Sequence, residues 1–315
     1  MAHHILSLVI PIYNEEKNLN LLYQKIKEAL SAKFNDFEII FIDDGSKDKS
    51  FSVLEEIAKN DTRARVLRLA RNFGQTAAMM AGVDESRGDL IVTLDGDLQN
   101  DPFDIEKMVK KIDEGYDVVS GWRKKRNDSF LNRRLPSCIA NWLISYVTGV
   151  KLHDYGCTLK IYRKSILENV RLYGEMHRFV PALVFEAGGK IAEMEVNHLP
   201  RIYEKTKYGI GRTFKVVLDL LVVKFLTKYF TRPMHFFGGT GMWSFLLGGV
   251  MGVWAIVLKL LEGKSFISTP LPLLAVFFVL IGLQFILMGL LAEMLTRIYF
   301  ETENRQIYKI KERIN

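Results

Sequence analysis

Two long stretches without a charged residue near the C-terminal end constrain this chain more than any other feature. Residues 236–258 run for 23 positions without a charge, and residues 271–292 run for 22. A helix needs about 20 apolar residues to cross the hydrocarbon core of a bilayer. Helices buried inside soluble proteins are seldom this long and uncharged, so the sequence predicts two transmembrane helices.

The basic residues around these stretches predict how the chain is oriented in the membrane. Eight Lys or Arg lie in residues 201–232 and five in residues 297–313, whereas the loop between the helices has only Lys259 and Lys264. Basic flanks stay on the cytoplasmic side, so a multi-pass protein of the inner cell membrane with both termini cytoplasmic is predicted. The apolar run at residues 5–12 is too short for an anchor and lacks the basic start of a signal peptide.

The net charge of +7 first suggests a nucleic-acid partner. No zinc-ligand spacing or aromatic RNA-binding motif accompanies the charge, so no nucleic acid is expected. Anionic lipid headgroups and phosphate ligands explain a basic surface beside membrane helices better. Cys138 and Cys157 form no metal-ligand pattern and are expected to stay reduced in the cytoplasm.

The first 120 residues alternate short β-rich runs with helical patterns. Strands are predicted at residues 5–12, 37–43, 64–69, 90–94 and 117–120. Between the first two strands, Leu19, Leu22, Ile26 and Leu30 recur at helical spacing. This alternation predicts an α/β domain with a mainly parallel sheet, covered by helices on both faces. Ligands of such sheets bind beyond the carboxyl ends of the strands.

Two further segments are predicted to be amphipathic helices at a membrane surface, namely residues 139–147 and residues 211–230. Core-facing helices with a solvated basic side are the alternative for both segments. The predicted organisation is an α/β domain at 1–210, an interfacial helix at 211–232, a two-helix transmembrane hairpin at 233–298 and a basic cytoplasmic tail at 299–315.

The most informative polar cluster is DGDLQ at residues 95–99, directly after the fourth predicted strand. Two carboxylates and an amide suit Mg²⁺, which typically takes one or two carboxylates together with waters and substrate phosphates. Asp43 and Asp44 end the second strand in the same way, and their carboxylates can accept hydrogen bonds from a base N–H or ribose hydroxyls. An ordinary Asp-Gly turn is the alternative for that second cluster.

Polar residues also follow the first and third predicted strands, as YNEE at residues 13–16 and NFGQ at residues 72–75. Four successive strand ends with polar residues together predict one cleft. Neither the glycine fingerprint of dinucleotide-binding folds nor a phosphate-binding P-loop occurs in the sequence. Ordinary dehydrogenases and P-loop enzymes are therefore disfavoured.

Taken together and in this order, IPIYNE at residues 10–15, DDGS at 43–46 and DGDLQ at 95–99 resemble glycosyltransferase family 2 with its GT-A nucleotide-sugar fold. HDYGC at 153–157, together with the motifs beginning at Glu175 and Arg201, is similar to the polyprenyl-phosphate branch of that family. Dolichyl-phosphate mannose synthases and bacterial undecaprenyl-phosphate glucosyltransferases belong to this branch. The Rossmann-like GT-A domain, interfacial helices and two transmembrane helices are the fold that the resemblance implies.

The resemblance also implies roles for individual residues. The nucleotide sugar would be bound by Pro11, Tyr13, Glu15, Asp43, Asp44, Gly74, Gln75 and Asp95. The metal, Mg²⁺ or Mn²⁺, would be ligated by Asp95, Asp97 and Gln99. The donor and acceptor phosphates would be held by Arg123, Arg134, Arg201 and Lys207. Asp97, Arg123 and Asp154 are the predicted catalytic residues. Asp154 is a base or an acceptor-positioning group, and a turn or a salt bridge to a nearby Arg is the alternative role. Trp122, Glu204 and Thr206 depart from the family pattern and leave the shape of the acceptor loop open.

The implied reaction is an inverting, metal-dependent hexosyl transfer from a nucleotide sugar, with UDP-glucose preferred, to a polyprenyl phosphate such as undecaprenyl phosphate. A GDP-mannose-dependent mannosyltransferase and a non-catalytic, membrane-tethered nucleotide-sugar sensor are the alternatives. A processive polysaccharide synthase would carry a Gln-x-x-Arg-Trp motif, and a nucleotidyltransferase would carry a glycine-rich, lysine-bearing loop; the sequence has neither. Gly248 and Gly252 permit close helix packing, either within the hairpin or in a homo-oligomer.

Overall fold

A computed structural model describes residues 4–124, 141–142, 144–146, 148–168, 176–200, 233–301 and 310–314. The chain divides into two compact units. The first comprises Met1–Leu220 with Gln306–Asn315, and the second comprises Leu221–Arg305. The predictions for Cys138, Arg134, Arg201 and Lys207, for the acceptor loop around Glu204 and Thr206, and for the interfacial helix at 211–232 lie outside the described residues.

The first unit is built on one mixed sheet of eight strands in the order β7-β5-β6-β4-β1-β2-β3-β8. The strands are β1 (Leu6–Ile12), β2 (Phe37–Asp43), β3 (Ala64–Leu69), β4 (Leu90–Thr93), β5 (Val118–Trp122), β6 (Lys160–Arg163), β7 (Ile191–Glu195) and β8 (Ile310–Ile314). β1 pairs in parallel with β2 and β4, β2 with β3, and β5 with β7. The five strands predicted from the sequence are confirmed as β1 to β5, and their predicted ends agree with the observed ends to within two residues.

Two antiparallel strands modify this parallel arrangement. β6 lies between β4 and β5 and runs antiparallel to both. β8 comes from the C-terminal tail and pairs antiparallel with the edge strand β3. The sequence predicted neither strand, because β6 has only four residues and the β8 sequence IKERI reads as part of a basic tail.

Helices cover both faces of the sheet. They are α1 (Leu19–Ser31), α2 (Ser50–Asn60), α3 (Gln75–Glu85), α4 (Ile105–Asp113), α5 (Lys164–Leu167) and α6 (Val180–Glu186). The apolar face predicted for α1 is buried, with Leu19, Leu22 and Ile26 fully shielded from solvent. Burying each such side chain contributes about 1.5–3 kcal/mol. All seven residues of β2 are buried, as expected for a central strand covered on both faces.

The second unit is a pair of long helices, α7 (Pro233–Glu262) and α8 (Leu271–Glu301). Both are long and apolar enough to cross a membrane, by length and composition. A Cβ added at Gly248 would lie 3.0 Å from the carbonyl oxygen of Ala275, and one at Gly241 would lie 2.8 Å from that of Gly282. These glycines therefore allow α7 to pack closely against α8. For Gly248, this is the packing within the hairpin that was predicted as one of two alternatives.

Candidate functional site

The loops after β1 and β2 are joined by reciprocal hydrogen bonds. The backbone N–H of Asn14 donates to Ser46 Oγ at 3.0 Å, and the backbone N–H of Lys47 donates to Asn14 Oδ1 at 2.7 Å. Asn14 has a φ of 57°, a left-handed conformation that Asn tolerates better than most residues. Tyr13, a predicted nucleotide contact, is 36% exposed beside this junction. The two loops are thus held together at the carboxyl ends of neighbouring strands.

The Asp43–Asp44 pair is almost completely buried and links the second loop to the third. Asp44 accepts hydrogen bonds from the backbone N–H groups of Phe73 at 2.7 Å and Gly74 at 2.9 Å. Asp43 Oδ2 lies 3.5 Å from Arg68 Nε. Burial, together with the charge of Asp43, raises the pKa of Asp44 despite these hydrogen bonds. The carboxylate of Asp44 therefore orders the loop that contains Gly74 and Gln75.

Gly45, which follows this pair, is required by close packing. Its φ is +71°, and a Cβ there would lie 2.7 Å from the backbone of Arg71 and Asn72. Any side chain would push the loop after β3 away from the loop after β2. The DDGS motif therefore needs glycine at this position so that the two loops can touch.

Asp95 stands two residues after the end of β4, and both of its carboxylate oxygens accept hydrogen bonds. Gln75 Nε2 donates to Oδ1 and Thr158 Oγ1 donates to Oδ2, each at 2.8 Å. The low-dielectric surroundings and the negative charge of Asp97 raise the pKa of Asp95 to about 6. A bound cation would relieve this electrostatic cost.

Asp97 and Gln99 form a tight turn after Asp95. The backbone N–H of Gln99 donates to Asp97 Oδ1 at 3.2 Å, and Leu98 between them has a φ of 62°. A buried non-glycine residue such as Leu98 rarely adopts this left-handed conformation, so the turn is strained. Gln99 Nε2 lies 3.3 Å from His198 Nε2. The predicted donors Asp95, Asp97 and Gln99 thus share one turn.

This turn fits a divalent cation that is completed by substrate phosphates. No group of three or more His, Cys, Asp or Glu arranged to hold a metal occurs among the described residues. Mg²⁺ needs only one or two carboxylates when a diphosphate and waters supply the remaining oxygens. Two carboxylates at the carboxyl end of β4, of which Asp95 has a raised pKa, are therefore a suitable donor set for such an ion.

Arg123 and Asp154 form a bidentate ion pair beside these carboxylates. Arg123 Nε lies 2.7 Å from Asp154 Oδ2 and Nη2 lies 3.0 Å from Oδ1. Asp154 also accepts from the backbone N–H of Gly156 at 3.1 Å. The side chains are only 14% and 4% exposed, so the pair is largely desolvated. Among the roles predicted for Asp154, this geometry matches the one that pairs it with an Arg.

An aromatic pair borders the ion pair. Trp122 and His153 stack with ring centroids 4.3 Å apart. Glu193 Oε2 lies 2.6 Å from His153 Nδ1, and Glu193 Oε1 accepts from the backbone N–H groups of His153 and Asp154. Trp122, one of the three residues that depart from the family pattern, is therefore fixed next to Arg123.

Sequence reasoning missed three residues that support the site: Thr158, Lys160 and Glu193. Thr158 fixes Asp95, Glu193 fixes the backbone at Asp154, and the buried Lys160 donates to the backbone carbonyls of Tyr155 and Cys157. Thr158 lies one residue beyond the HDYGC motif and could have been suspected from that motif. Lys160 and Glu193 lie on β6 and β7, two strands that were not predicted from the sequence.

The profile of the glycosyl transferase family 2 domain matches residues 7–171. The chain is 43% identical to dodecaprenyl-phosphate galacturonate synthase of Rhizobium johnstonii, over 98% of this chain and 92% of that protein. The chain belongs to glycosyl transferase family 2. The resemblance identified from the sequence motifs is thereby confirmed, and this family 2 protein is an enzyme.

Further relatives agree with this assignment. The enzyme is 38% identical to undecaprenyl-phosphate 4-deoxy-4-formamido-L-arabinose transferase of Shewanella sediminis, over 97% of this chain and 91% of that one. Glucosyl-3-phosphoglycerate synthase of Mycobacterium tuberculosis, solved with Mn²⁺, UDP and phosphoglyceric acid, is similar in structure with a TM-score of 0.55 and 17% identity. That similarity covers 71% of this chain and 79% of the other, and it confirms the GT-A fold.

Proposed function

We propose that this family 2 enzyme transfers a sugar from a nucleoside diphosphate sugar to the phosphate of a polyprenyl phosphate. The observation that carries the proposal is the near full-length identity of 43% to an enzyme named for making dodecaprenyl-phosphate galacturonate. A second relative is named for transfer to undecaprenyl phosphate. The two apolar helices support the proposal, because a lipid acceptor keeps its phosphate at the membrane surface.

The donor is proposed to be a UDP-sugar. UDP-glucose remains the prediction from the sequence, and UDP-galacturonate joins it because of the product in the relative's name. GDP-mannose is the alternative nucleotide sugar. Nucleoside contacts are proposed for Pro11, Tyr13, Glu15 and the loops that Asp43 and Asp44 organise, with Gly74 and Gln75 at their junction with Asp95.

Asp95, Asp97 and Gln99 are proposed to hold Mg²⁺ or Mn²⁺, which would offset the negative charge on the leaving diphosphate. The acceptor phosphate has a second pKa of about 6 and is already anionic at neutral pH. One of its oxygens forms the new bond to the anomeric carbon while the bond from that carbon to the diphosphate oxygen breaks, which inverts the anomeric centre. This reaction needs no strong general base, so we assign Asp154 to positioning Arg123 for the phosphates. Arg134, Arg201 and Lys207 remain proposed phosphate contacts.

The catalytic unit and both termini are proposed to lie on the cytoplasmic side of the inner membrane, where nucleotide sugars are made. This proposal rests on the distribution of Lys and Arg around the two apolar helices.

Transfer of radiolabel into the lipid phase tests the proposed function. The full-length enzyme in detergent would receive undecaprenyl phosphate with labelled UDP-glucose, UDP-galacturonate or GDP-mannose, in Mg²⁺, Mn²⁺ or chelator. Label should enter the lipid with one donor, only with metal, and Asp97→Ala should reduce the rate by more than about 100-fold. Glu56→Gln, an exposed carboxylate on α2, is the matched control and should retain the wild-type rate.

The outcomes separate the candidate functions. The donor that gives lipid-linked label identifies the sugar, and NMR of the product establishes whether the anomeric centre is inverted. Nucleotide-sugar binding without transfer from any donor would refute the proposed activity and support the sensor alternative.

A further inference from the structure

Lys160 is a buried lysine at the centre of the site, and no sequence motif pointed to it. It is the first residue of β6 and only 3% exposed. Its Nζ donates to the backbone carbonyl oxygens of Tyr155, at 3.3 Å, and of Cys157. Among the described residues, no carboxylate forms an ion pair with it. A buried ammonium group without a paired carboxylate is costly, so its retention needs an explanation.

The position of β6 in the sheet provides the first part of that explanation. β4 leads to Asp95, β5 leads to Arg123, and β6 lies between these two strands. Lys160 is in register with Thr93 of β4 and with Ser120 of β5. The lysine therefore sits between the two strands that carry the carboxylate and the guanidinium of the site.

The turn before β6 provides the second part. At one end of this turn, Asp154 binds Arg123, and at the other end Thr158 Oγ1 donates to Asp95 Oδ2 at 2.8 Å. The two carbonyl groups that Lys160 holds belong to Tyr155 and Cys157, in the middle of the same turn. One ammonium group thus fixes the segment that connects Arg123 to Asp95.

We infer that Lys160 is a positioning residue for the proposed transfer: by holding the 154–158 turn, it fixes Asp154 against Arg123 and Thr158 against Asp95. This inference rests on the proposed function. The hydrogen bonds of Lys160 go to the backbone of the turn, so it acts through the residues of the turn. Its charge also offsets part of the negative charge around Asp95.

Electrostatics agree with this geometry. Burial lowers the pKa of Lys160 to about 8, while the charges of Asp154 and Asp95 oppose that decrease. In return, the charges of Arg123 and Lys160 oppose the increase in the pKa of Asp95. Lys160 is thus coupled to both ends of the turn.

Substitution of Lys160 in the full-length enzyme tests the inference. Lys160→Met removes charge and hydrogen bonds, Lys160→Gln keeps one donor without charge, and Lys160→Arg keeps the charge. Misplacement of reacting groups by about 1 Å can cost 10²-fold in rate. Lys160→Met should therefore lower kcat by about 100-fold, and Lys160→Arg should recover at least about a tenth of the wild-type rate. Binding of UDP in chelator, measured by calorimetry, should change by less than about threefold, since the loops after β1, β2 and β3 that are proposed to bind the nucleoside do not touch Lys160.

Lys164→Met is the matched control. Lys160 is the first residue of β6, and Lys164 directly follows its last residue. The Nζ of Lys164 also donates to a backbone carbonyl, that of Ser86, at 2.7 Å. This substitution removes the same kind of hydrogen bond far from the strand ends that carry the site. It should leave kcat within about twofold of wild type even if the unfolding temperature falls.

A double-mutant cycle with Asp154→Asn separates positioning from general stability. If Lys160 acts through the turn, the Lys160→Gln, Asp154→Asn double variant should be little worse than the poorer single variant. Losses that multiply would overturn the inference, as would wild-type kcat in Lys160→Gln. If Lys160→Met does not fold, the Gln variant decides, because it retains a hydrogen-bond donor. Failure of wild-type transfer from every donor would instead contradict the proposed function itself.

Discussion

Asp154 is the residue whose role the structure constrains most directly. Its two carboxylate oxygens hold Arg123, and neither side chain is more than 14% exposed. Removing one partner of a buried pair leaves a desolvated charge, which costs about 3–5 kcal/mol. A carboxylate held in this way is poorly suited to accept a proton, and an anionic acceptor does not need one.

We predict that Asp154→Asn lowers kcat/KM by about 10- to 100-fold and leaves the shape of the pH–rate profile unchanged. Asn retains one oxygen acceptor, so Arg123 stays near its position but is held less firmly. Rates from pH 5.5 to 8.5 check this prediction. The matched control is Asp117→Asn. Asp117 also faces an arginine, with its Oδ1 3.7 Å from Arg163 Nε, but it immediately precedes β5, at the end of that strand opposite to Arg123. If the decrease in rate at acidic pH disappeared in Asp154→Asn but not in Asp117→Asn, Asp154 would be identified as a base.

His177 predicts a pH dependence of stability. The side chain is buried, with Nδ1 2.8 Å from Thr76 Oγ1, and burial together with Arg178 and Lys160 lowers its pKa to about 3. In the unfolded chain the pKa is close to 6.5, so the unfolded state binds the proton first as pH falls. Stability from this group is fully present above pH 6.5 and is lost as pH decreases toward 3. His177→Gln should therefore reduce the decrease in unfolding temperature between pH 7 and pH 5.

His4 supplies the internal control because its shift has the opposite sign. Burial would lower the pKa of His4, but hydrogen bonds to Asp89, at 2.5 Å, and Asp113, at 2.8 Å, raise it. Its stabilising contribution is full below pH 6.5 and disappears as pH rises through the raised pKa. His4→Gln should therefore flatten the profile on the alkaline side. Identical profiles for both variants and the wild type would contradict the two assignments.

A site residue could be predicted from the sequence when the residues next to it in the chain already indicate its role. Asp43, Asp44, Asp95 and Asp97 lie at or shortly after the ends of apolar strands, so each could be found from a few neighbouring residues. Lys160 could not, because its importance comes from an antiparallel strand inserted between two others. No local pattern in the sequence specifies that insertion.

At the scale of elements, α3 is packed so closely on the sheet that a glycine within it is required. A Cβ added at Gly82 would lie 2.4 Å from Val9 Cγ1 and 2.7 Å from Ile42 Cδ1. Helix propensity alone favours Ala over Gly by about 1 kcal/mol. Overpacking of a filled core costs about 1–3 kcal/mol, which is the larger effect.

We therefore predict that Gly82→Ala destabilises the enzyme by about 1–2 kcal/mol although it improves helix propensity. Denaturant unfolding followed by circular dichroism measures the change. Ser52→Ala on the exposed side of α2 is the control and should be neutral or slightly stabilising. A gain in stability at Gly82 would mean that α3 can move away from β1 and β2.

The strands show the same division between local and non-local signals. β1 to β4 alternate with helices and carry long apolar runs, so their existence and order follow from the sequence. β7 pairs with β5 across more than 60 intervening residues, and its sequence IAEME has two charged residues among five. Its place at the sheet edge is decided by pairing, not by composition.

At the scale of the whole molecule, the charge distribution predicts how the chain crosses the membrane. Ser265→Cys, in the loop between α7 and α8, should react with a membrane-impermeant maleimide in intact cells. Lys59→Cys on α2 should react only after permeabilisation. Cys138→Ala removes one background thiol, and Cys157 is buried and has a pKa raised to about 11, which keeps it unreactive. The reverse labelling pattern would place the catalytic unit outside the cytoplasm.

The antiparallel pairing of β8 with β3 has a practical consequence for anyone who wishes to separate the catalytic unit from its lipid environment. A fragment ended before α7 would leave the backbone of β3 exposed as a bare sheet edge, which invites aggregation. Joining residues 306–315 to the end of such a fragment through a short glycine-rich linker would restore the missing strand. The last residues of the chain, which look dispensable, are thus part of the catalytic unit that a water-soluble version would have to preserve.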